Sequence, residues 1–185
     1  MKKLILLGLA VVLFTACKNQ EVKEDSTPEE VTTEVQTTLE FDNSESALQL
    51  VKNYTDALQE GNVDNMNAQL SENAMVYGLG GGLDSLNVEQ HKTYFTTSTT
   101  DYTHTLSQDL YLPVKVENNW NEGEWVLSWG LNLITNKETN NAFAVPYHTV
   151  SRIENGKIAE MRYFYDMLNV IRNQGYTITP PEATE

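Results

Sequence analysis

The sequence predicts an α+β fold: a cone-shaped roll in which three N-terminal helices pack into a strongly curved, mostly antiparallel sheet, followed by a short C-terminal helix. Three observations predict it. Apolar residues recur at helical spacing between residues 47 and 95, the period changes to two from residue 102 onward, and residues 147–176 read as strand, tight turn, strand and closing helix.

The last stretch is the most legible. Tyr147, Thr149 and Ile153 alternate with His148, Val150 and Arg152, and Glu154-Asn155-Gly156 supplies residues that tolerate or permit positive φ. Residues 158–165 return to β-favouring side chains. Beyond Asp166, Leu168, Ile171 and Arg172 fall at helical spacing, and Gly175 sits where a helix C-cap glycine belongs.

Earlier elements follow by the same logic. Ala47, Leu50, Val51, Tyr54 and Leu58 make one apolar helix face, with Asp42, Ser44 or Ser46 as caps and Gly61 as the stop. Asn62 can cap a second helix carrying Val63, Met66 and Leu70, residues 74–79 read as a strand, and Val88, His91 and Phe95 mark a third helix capped near Asp84 or Ser85. Tyr102, His104 and Leu106, then Leu110, Leu112, Val114 and Val116, then Trp125, Leu127, Trp129, Leu131 and Leu133 repeat a period of two. Polar connections at residues 118–123 and 136–141 make these strands an antiparallel meander with one face buried.

Composition bounds the function. The 185 residues, 40% of them apolar, suffice for one good core. A balance of 26 acidic against 12 basic residues, net −14, repels phosphate backbones, so nucleic acid is not an expected partner. Cys17 is the only cysteine, which excludes an intramolecular disulfide and a cysteine zinc cluster. Residues 1–17 read as an address: Lys2 and Lys3, an apolar run over residues 4–14, then Thr15-Ala16 before the cysteine. That run is shorter than the ~20 apolar residues a spanning helix needs. Phe14-Thr15-Ala16-Cys17 resembles the bacterial lipobox, which implies lipidation of Cys17 and a protein anchored to a membrane of the bacterial cell envelope. Residues 18–40, with seven acidic residues against two lysines, read as a disordered acidic tether, residues 41–178 as the folded domain, and residues 179–185 as a disordered tail.

Two chemical readings are set aside at this level. The glycine-rich run at residues 78–82 follows a strand, but no Gly-Lys-Ser/Thr follows and the spacing misses a dinucleotide fingerprint. His91, His104 and His148 stand on separate elements and could join as metal ligands only by tertiary coincidence, so neither a metal nor a cofactor is expected.

The order helix, helix, strand, helix, then strands ending in Asn-Gly-Lys-Ile and Tyr-Phe-Tyr-Asp, resembles the nuclear transport factor 2-like superfamily, in particular its SnoaL-like, polyketide cyclase-like branch. The resemblance covers roughly residues 41–174. It implies a cone enclosing an apolar pocket, in a superfamily holding ketosteroid isomerases, cyclases, dehydratases, epoxide hydrolases and non-catalytic members. Counted from Gly61, Tyr54 matches the isomerase's oxyanion-hole tyrosine; counted from Gly156, His148 matches its oxyanion-hole aspartic acid. The isomerase's base falls at Gly78, which has no side chain to take a proton.

Tyr54, Trp129, His148, Met161, Tyr163 and Tyr165 are thus the candidate pocket residues. Asp166 is either the general acid–base carboxylate of a cyclase or a helix cap. Three functions stay open: a non-catalytic module binding a small apolar molecule, a small acid–base enzyme using Asp166 or His148 with Tyr54, and an interaction domain dimerising through its outer sheet face.

Overall fold

The computed structural model describes residues 34–80 and 84–179. Among these, none of the helices is long and apolar enough to cross a membrane. The expected address at residues 1–17 and all of the tail beyond Ile178 except residue 179 lie outside the described residues.

Helix α1 (Ser44–Gln59) buries Ala47, Val51, Tyr54, Ala57 and Leu58 on one side, the stripe that the spacing predicts. Each fully buried large side chain of this kind contributes about 1.5–3 kcal/mol relative to exposure. Its N-cap is Asn43, without a side-chain cap bond, so none of Asp42, Ser44 or Ser46 occupies the cap position. Gly61 ends it with φ +69. Helix α2 (Val63–Ala68) starts at Asn62, whose side chain accepts from the Asn65 N–H, as expected. Helix α3 (Val88–Asp101) is capped by Asn87 rather than Asp84 or Ser85, because Asn87 and Gln90 close a reciprocal capping box.

The sheet has seven strands among the described residues. They are β1 (Gln36–Thr38), β2 (Leu70–Tyr77), β3 (Ser85–Leu86), β4 (Tyr102–Glu117), β5 (Gly123–Asn136), β6 (Ala142–Glu154) and β7 (Lys157–Tyr165). Their spatial order is β1-β4-β5-β6-β7-β2-β3. All pairs are antiparallel except β2 and β7, so the sheet is mixed, as a chain returning to its first long strand requires. The β6–β7 hairpin turns on Asn155 and Gly156, both at positive φ, between paired Glu154 and Lys157. A short helix α4 (Met167–Asn173) follows, and Gly175 ends it at φ +88.

Three expectations need correction. A strand lies inside the segment read as tether: β1 pairs Gln36, Thr37 and Thr38 with Glu117, Val116 and Lys115 of β4. Backbone pairing needs no apolar side chain, so composition does not reveal it. Residues 102–117 form one strand rather than two, broken by a bulge between Ser107 and Leu110, with Gln108 at φ +57. The extra residue reverses the alternation, so Leu110 is exposed while Tyr111 packs on the core. In β5 the more apolar phase points outward. Val126 and Ser128 are fully buried on the inner face, whereas Trp129 and Leu133 are among the exposed large side chains.

The core packs α1, α2 and Phe95 of α3 against Ala74 and Val76 of β2, Val126 of β5, Ile153 of β6, and Ile158 and Met161 of β7. Two glycines in this frame share a positive φ but not a surrounding. A Cβ at Gly78 (φ +84) would collide with the Tyr163 carbonyl, whereas one at Gly156 (φ +70) would meet nothing. Gly156→Ala is therefore expected to cost about 1–2 kcal/mol, the left-handed conformation alone. Gly78→Ala should cost at least about 1 kcal/mol more, because the β2–β7 backbones must also separate. Urea denaturation of the two variants measures the difference, and equal losses would show that the close approach carries no weight.

Candidate functional site

The inner face of β4–β7, the open side of α1 and α3, and helix α4 enclose a cavity of about 310 Å³. Tyr54, Phe95, Leu106, Phe143, Val145 and Met161 supply much of its wall, with Met167, Val170 and Ile171 of α4 along another side. Among the described residues, no Asp, Glu, Lys or Arg lines it.

Tyr54 is the most deeply set of the expected residues, at 1% exposure. Its hydroxyl lies 2.7 Å from His91 Nε2 and 2.7 Å from the Tyr163 hydroxyl. On the far side of the imidazole, His91 Nδ1 is 2.6 Å from Asn67 Oδ1, and Asn67 Nδ2 donates to the Val88 carbonyl at 3.1 Å. The end of this chain sets its direction. A carbonyl can only accept, so the Asn67 amide nitrogen faces Val88 and its oxygen faces the imidazole. His91 therefore carries its proton on Nδ1 and accepts at Nε2, Tyr54 donates to His91, and Tyr163 donates to Tyr54. Burial holds His91 down at a pKa of about 4, so the ring is neutral at pH 7. Burial likewise raises Tyr54 and Tyr163, the latter also through Tyr54 beside it.

Two more tyrosines are fixed in the same manner. Tyr147 donates to Asp109 Oδ1 at 2.9 Å, and Tyr165 donates to the Leu79 carbonyl at 3.0 Å. The bulge in β4 brings Asp109 to Tyr147, and Gly130 makes the room: a Cβ there would strike the Asp109 carboxylate and stand 2.8 Å from the Tyr147 hydroxyl. Burial first, then the Asp109 hydrogen bond, raises the Tyr147 pKa. His104 sits between Ser98 Oγ, 3.0 Å from its Nε2, and Asn132 Nδ2, 3.1 Å from its Nδ1. Burial lowers its pKa, with the Asn132 bond opposing.

The structure brings together Tyr54, Met161, Tyr163 and Tyr165 of the expected set. It separates His148 and Trp129 from them. These two pair across β5 and β6 and form an outer-face stack with Phe164, with ring centroids 4.8 and 5.6 Å apart, and His148 Nδ1 donates to the Ser128 carbonyl. Strand alternation is the reason: with Tyr147, Thr149 and Ile153 facing in, His148 must face out. Asp166 caps α4, its Oδ1 accepting from the Asn169 N–H at 2.9 Å, and is not part of the cavity wall. Gly78 packs on the Tyr163 backbone, which leaves no space for an acidic side chain in its place. The three histidines do not converge, and the described residues hold no cluster of three or more potential metal ligands.

Sequence reasoning missed His91, Asn132, Phe143 and Tyr147. The helical spacing of His91 with Val88 and Phe95, and the alternation of Tyr147 with His148, carried the signal for two of them. Asn132 lies in the polar phase of β5, which the apolar pattern hides.

The arrangement resembles known structures in fold. A candidate polyketide cyclase from Xanthomonas campestris pv. campestris superposes with a TM-score of 0.59 at 17% identity, over 71% of this chain and 98% of that one. An LEH-like epoxide hydrolase from M. tuberculosis gives 0.54 at 14% identity, over 71% and 90%. A protein from Catenulispora acidiphila with a ketosteroid isomerase-like fold, in complex with trimethylamine, gives 0.51 at 14% identity, over 71% and 98%. The chain is similar to these structures in fold. No family model matches the chain, and no curated protein matches it. This fold, with its curved mixed sheet, positions the cavity, while its chemistry has to be read from the side chains.

Because folded His91 resists protonation and an unfolded histidine does not, stability conferred by the neutral ring is present above about pH 6.5 and is lost as pH falls from there toward about 4. Denaturation midpoints at pH 7 and pH 4.5 should therefore differ more for the native sequence than for His91→Gln, by up to about 3 kcal/mol. Parallel pH profiles would show that His91 is protonated as easily in the fold as outside it.

Proposed function

We propose that this chain is a small-molecule binding module whose cone cavity holds an apolar ligand without chemical turnover. One observation carries the reading: the cavity is apolar-walled, no charged side chain of the described residues lines it, and Tyr54, Tyr147, Tyr163 and Tyr165 on its wall donate their protons to internal partners. An acid–base enzyme needs a group that can exchange a proton with the substrate. His148 lies on the outer face, Asp166 is engaged as a cap, and the Tyr54 proton is directed at His91. The similar structures include candidate cyclases, an epoxide hydrolase and isomerase-like proteins, which keeps the enzyme reading as the alternative to be tested.

A second reading concerns partners. The outer face carries Leu110, Trp129, Leu133 and Phe164, all among the exposed large apolar side chains, and this favours a homodimer formed through that face. We also infer that Cys17 is lipidated and that the part of the acidic segment 18–40 preceding β1 tethers the domain to a membrane of the cell envelope, a reading supported by the lipobox-like Phe14-Thr15-Ala16-Cys17.

Native mass spectrometry of the protein from its own host is expected to show a retained small molecule and an even subunit count. Val170→Trp on α4, which fills the cavity from a half-buried position, should reduce affinity for an apolar bicyclic probe at least about tenfold. The native cavity should not catalyse α-proton exchange in bound 2-decalone, and exchange above the solution rate would make the protein an enzyme. For the anchor, Cys17→Ser should move the protein out of the detergent phase or leave an unprocessed precursor. Unchanged partitioning would refute lipidation.

A further inference from the structure

The hydrogen-bond chains around the cavity share a polarity. The first runs from Tyr163 through Tyr54, His91 and Asn67 and ends on the Val88 carbonyl; a second is Tyr165 to the Leu79 carbonyl; a third is Tyr147 to the Asp109 carboxylate. Carbonyls and carboxylates have no proton to return, so each chain passes its protons away from the cavity. The oxygens of Tyr163 and Tyr147 are left with lone pairs only. Asn132 adds a further acceptor: its Oδ1 is buried and has no hydrogen-bond partner, while its Nδ2 is held by His104. Ser98 and Tyr102 have no acceptor assigned to their hydroxyl protons, and neither belongs to the Tyr163 chain.

We propose that the cavity selects its ligand through a hydrogen-bond donor, taking an apolar molecule that carries a hydroxyl group whose O–H points at the Tyr163, Tyr147 or Asn132 oxygens. The proposal rests on the cavity being a binding site, and it reverses the polarity of an oxyanion hole. Placed at the Tyr163, Tyr147 or Asn132 oxygens, a ketone or carboxylate would set its lone pairs against theirs. An ammonium group would satisfy the acceptors, but the wall holds no carboxylate to offset its buried charge. A neutral hydroxyl meets both conditions, and it relieves the unpaired Asn132 oxygen.

Three probes of one size and differing polarity test this by calorimetric titration of the full-length protein. They are 2-naphthol, a donor; 2-methoxynaphthalene, the same ring with the donor proton replaced by methyl; and 2-acetonaphthone, an acceptor. The naphthol should bind roughly 3- to 10-fold more tightly than the ether, the scale of one neutral hydrogen bond, with no advantage for the ketone over the ether. Equal affinities would overturn the donor proposal and leave the binding module standing. Tighter binding of the ketone would overturn it by showing a donor on the wall. Failure of all three to bind would overturn both. The acceptor is then located by Tyr163→Phe, Tyr147→Phe and Asn132→Leu, with thermal melts reporting whether each variant folds. A naphthol-to-ether ratio near one in a folded variant supports the proposal, and a ratio unchanged in all of them overturns it.

Discussion

The contact on which the cavity depends is a carbonyl that faces an amide: Val88 O accepting from Asn67 Nδ2. It is a single neutral hydrogen bond at the start of α3, but it fixes which way Asn67 is turned, and that fixes the His91 tautomer, the Tyr54 proton and the Tyr163 proton in sequence. A buried network of this kind is stable only when every member has its partner. Here α1, α2 and β7 each contribute one member and α3 two, His91 and the Val88 carbonyl, so the network also ties the helices to the sheet. Helix packing and cavity polarity therefore have one origin.

The same network explains why a resemblance in fold does not carry a mechanism with it. Tyr54 occupies the place that the resemblance assigns to an oxyanion donor, but a donor must have a proton to give. With His91 as an obligatory acceptor behind it, the tyrosine is turned inward. A histidine and an asparagine on neighbouring helices direct its proton away from the cavity.

How much of this could be read in the sequence follows from which signals are local. The helices and the hairpin were legible because their periodicity, the Asn62 cap and the Asn155-Gly156 turn are encoded within a few residues. Four of the six expected cavity residues were legible for the same reason: Tyr54 lies on an apolar helix stripe, and Met161, Tyr163 and Tyr165 alternate along one strand. His148 was placed by counting back from Gly156 and Trp129 by supposing that it stands opposite the last strand, and a position that is off by one along a strand lands on the opposite face. The bulge at residues 107–110 and the outward apolar phase of β5 were hidden for a different reason. An extra residue in a ladder exists only relative to its partner strand, and a polar inner face is intelligible only once there is a cavity for it to line.

The parallel pairing of β2 with β7 has a consequence for how the chain reaches this structure. Strand β2 follows the second helix, yet Leu70 pairs with Ile158 and Val76 with Met161, near the far end of the chain. During synthesis the first helices and β2 emerge long before the hairpin that completes them, and the order of synthesis is the reverse of the order in which loops can close cheaply. Until the β6–β7 hairpin arrives, the long edge of β2 that pairs with β7 has no strand partner, although α1 can already pack on α2 and β4. Closure of the sheet along that edge therefore waits for the last long strand to be made.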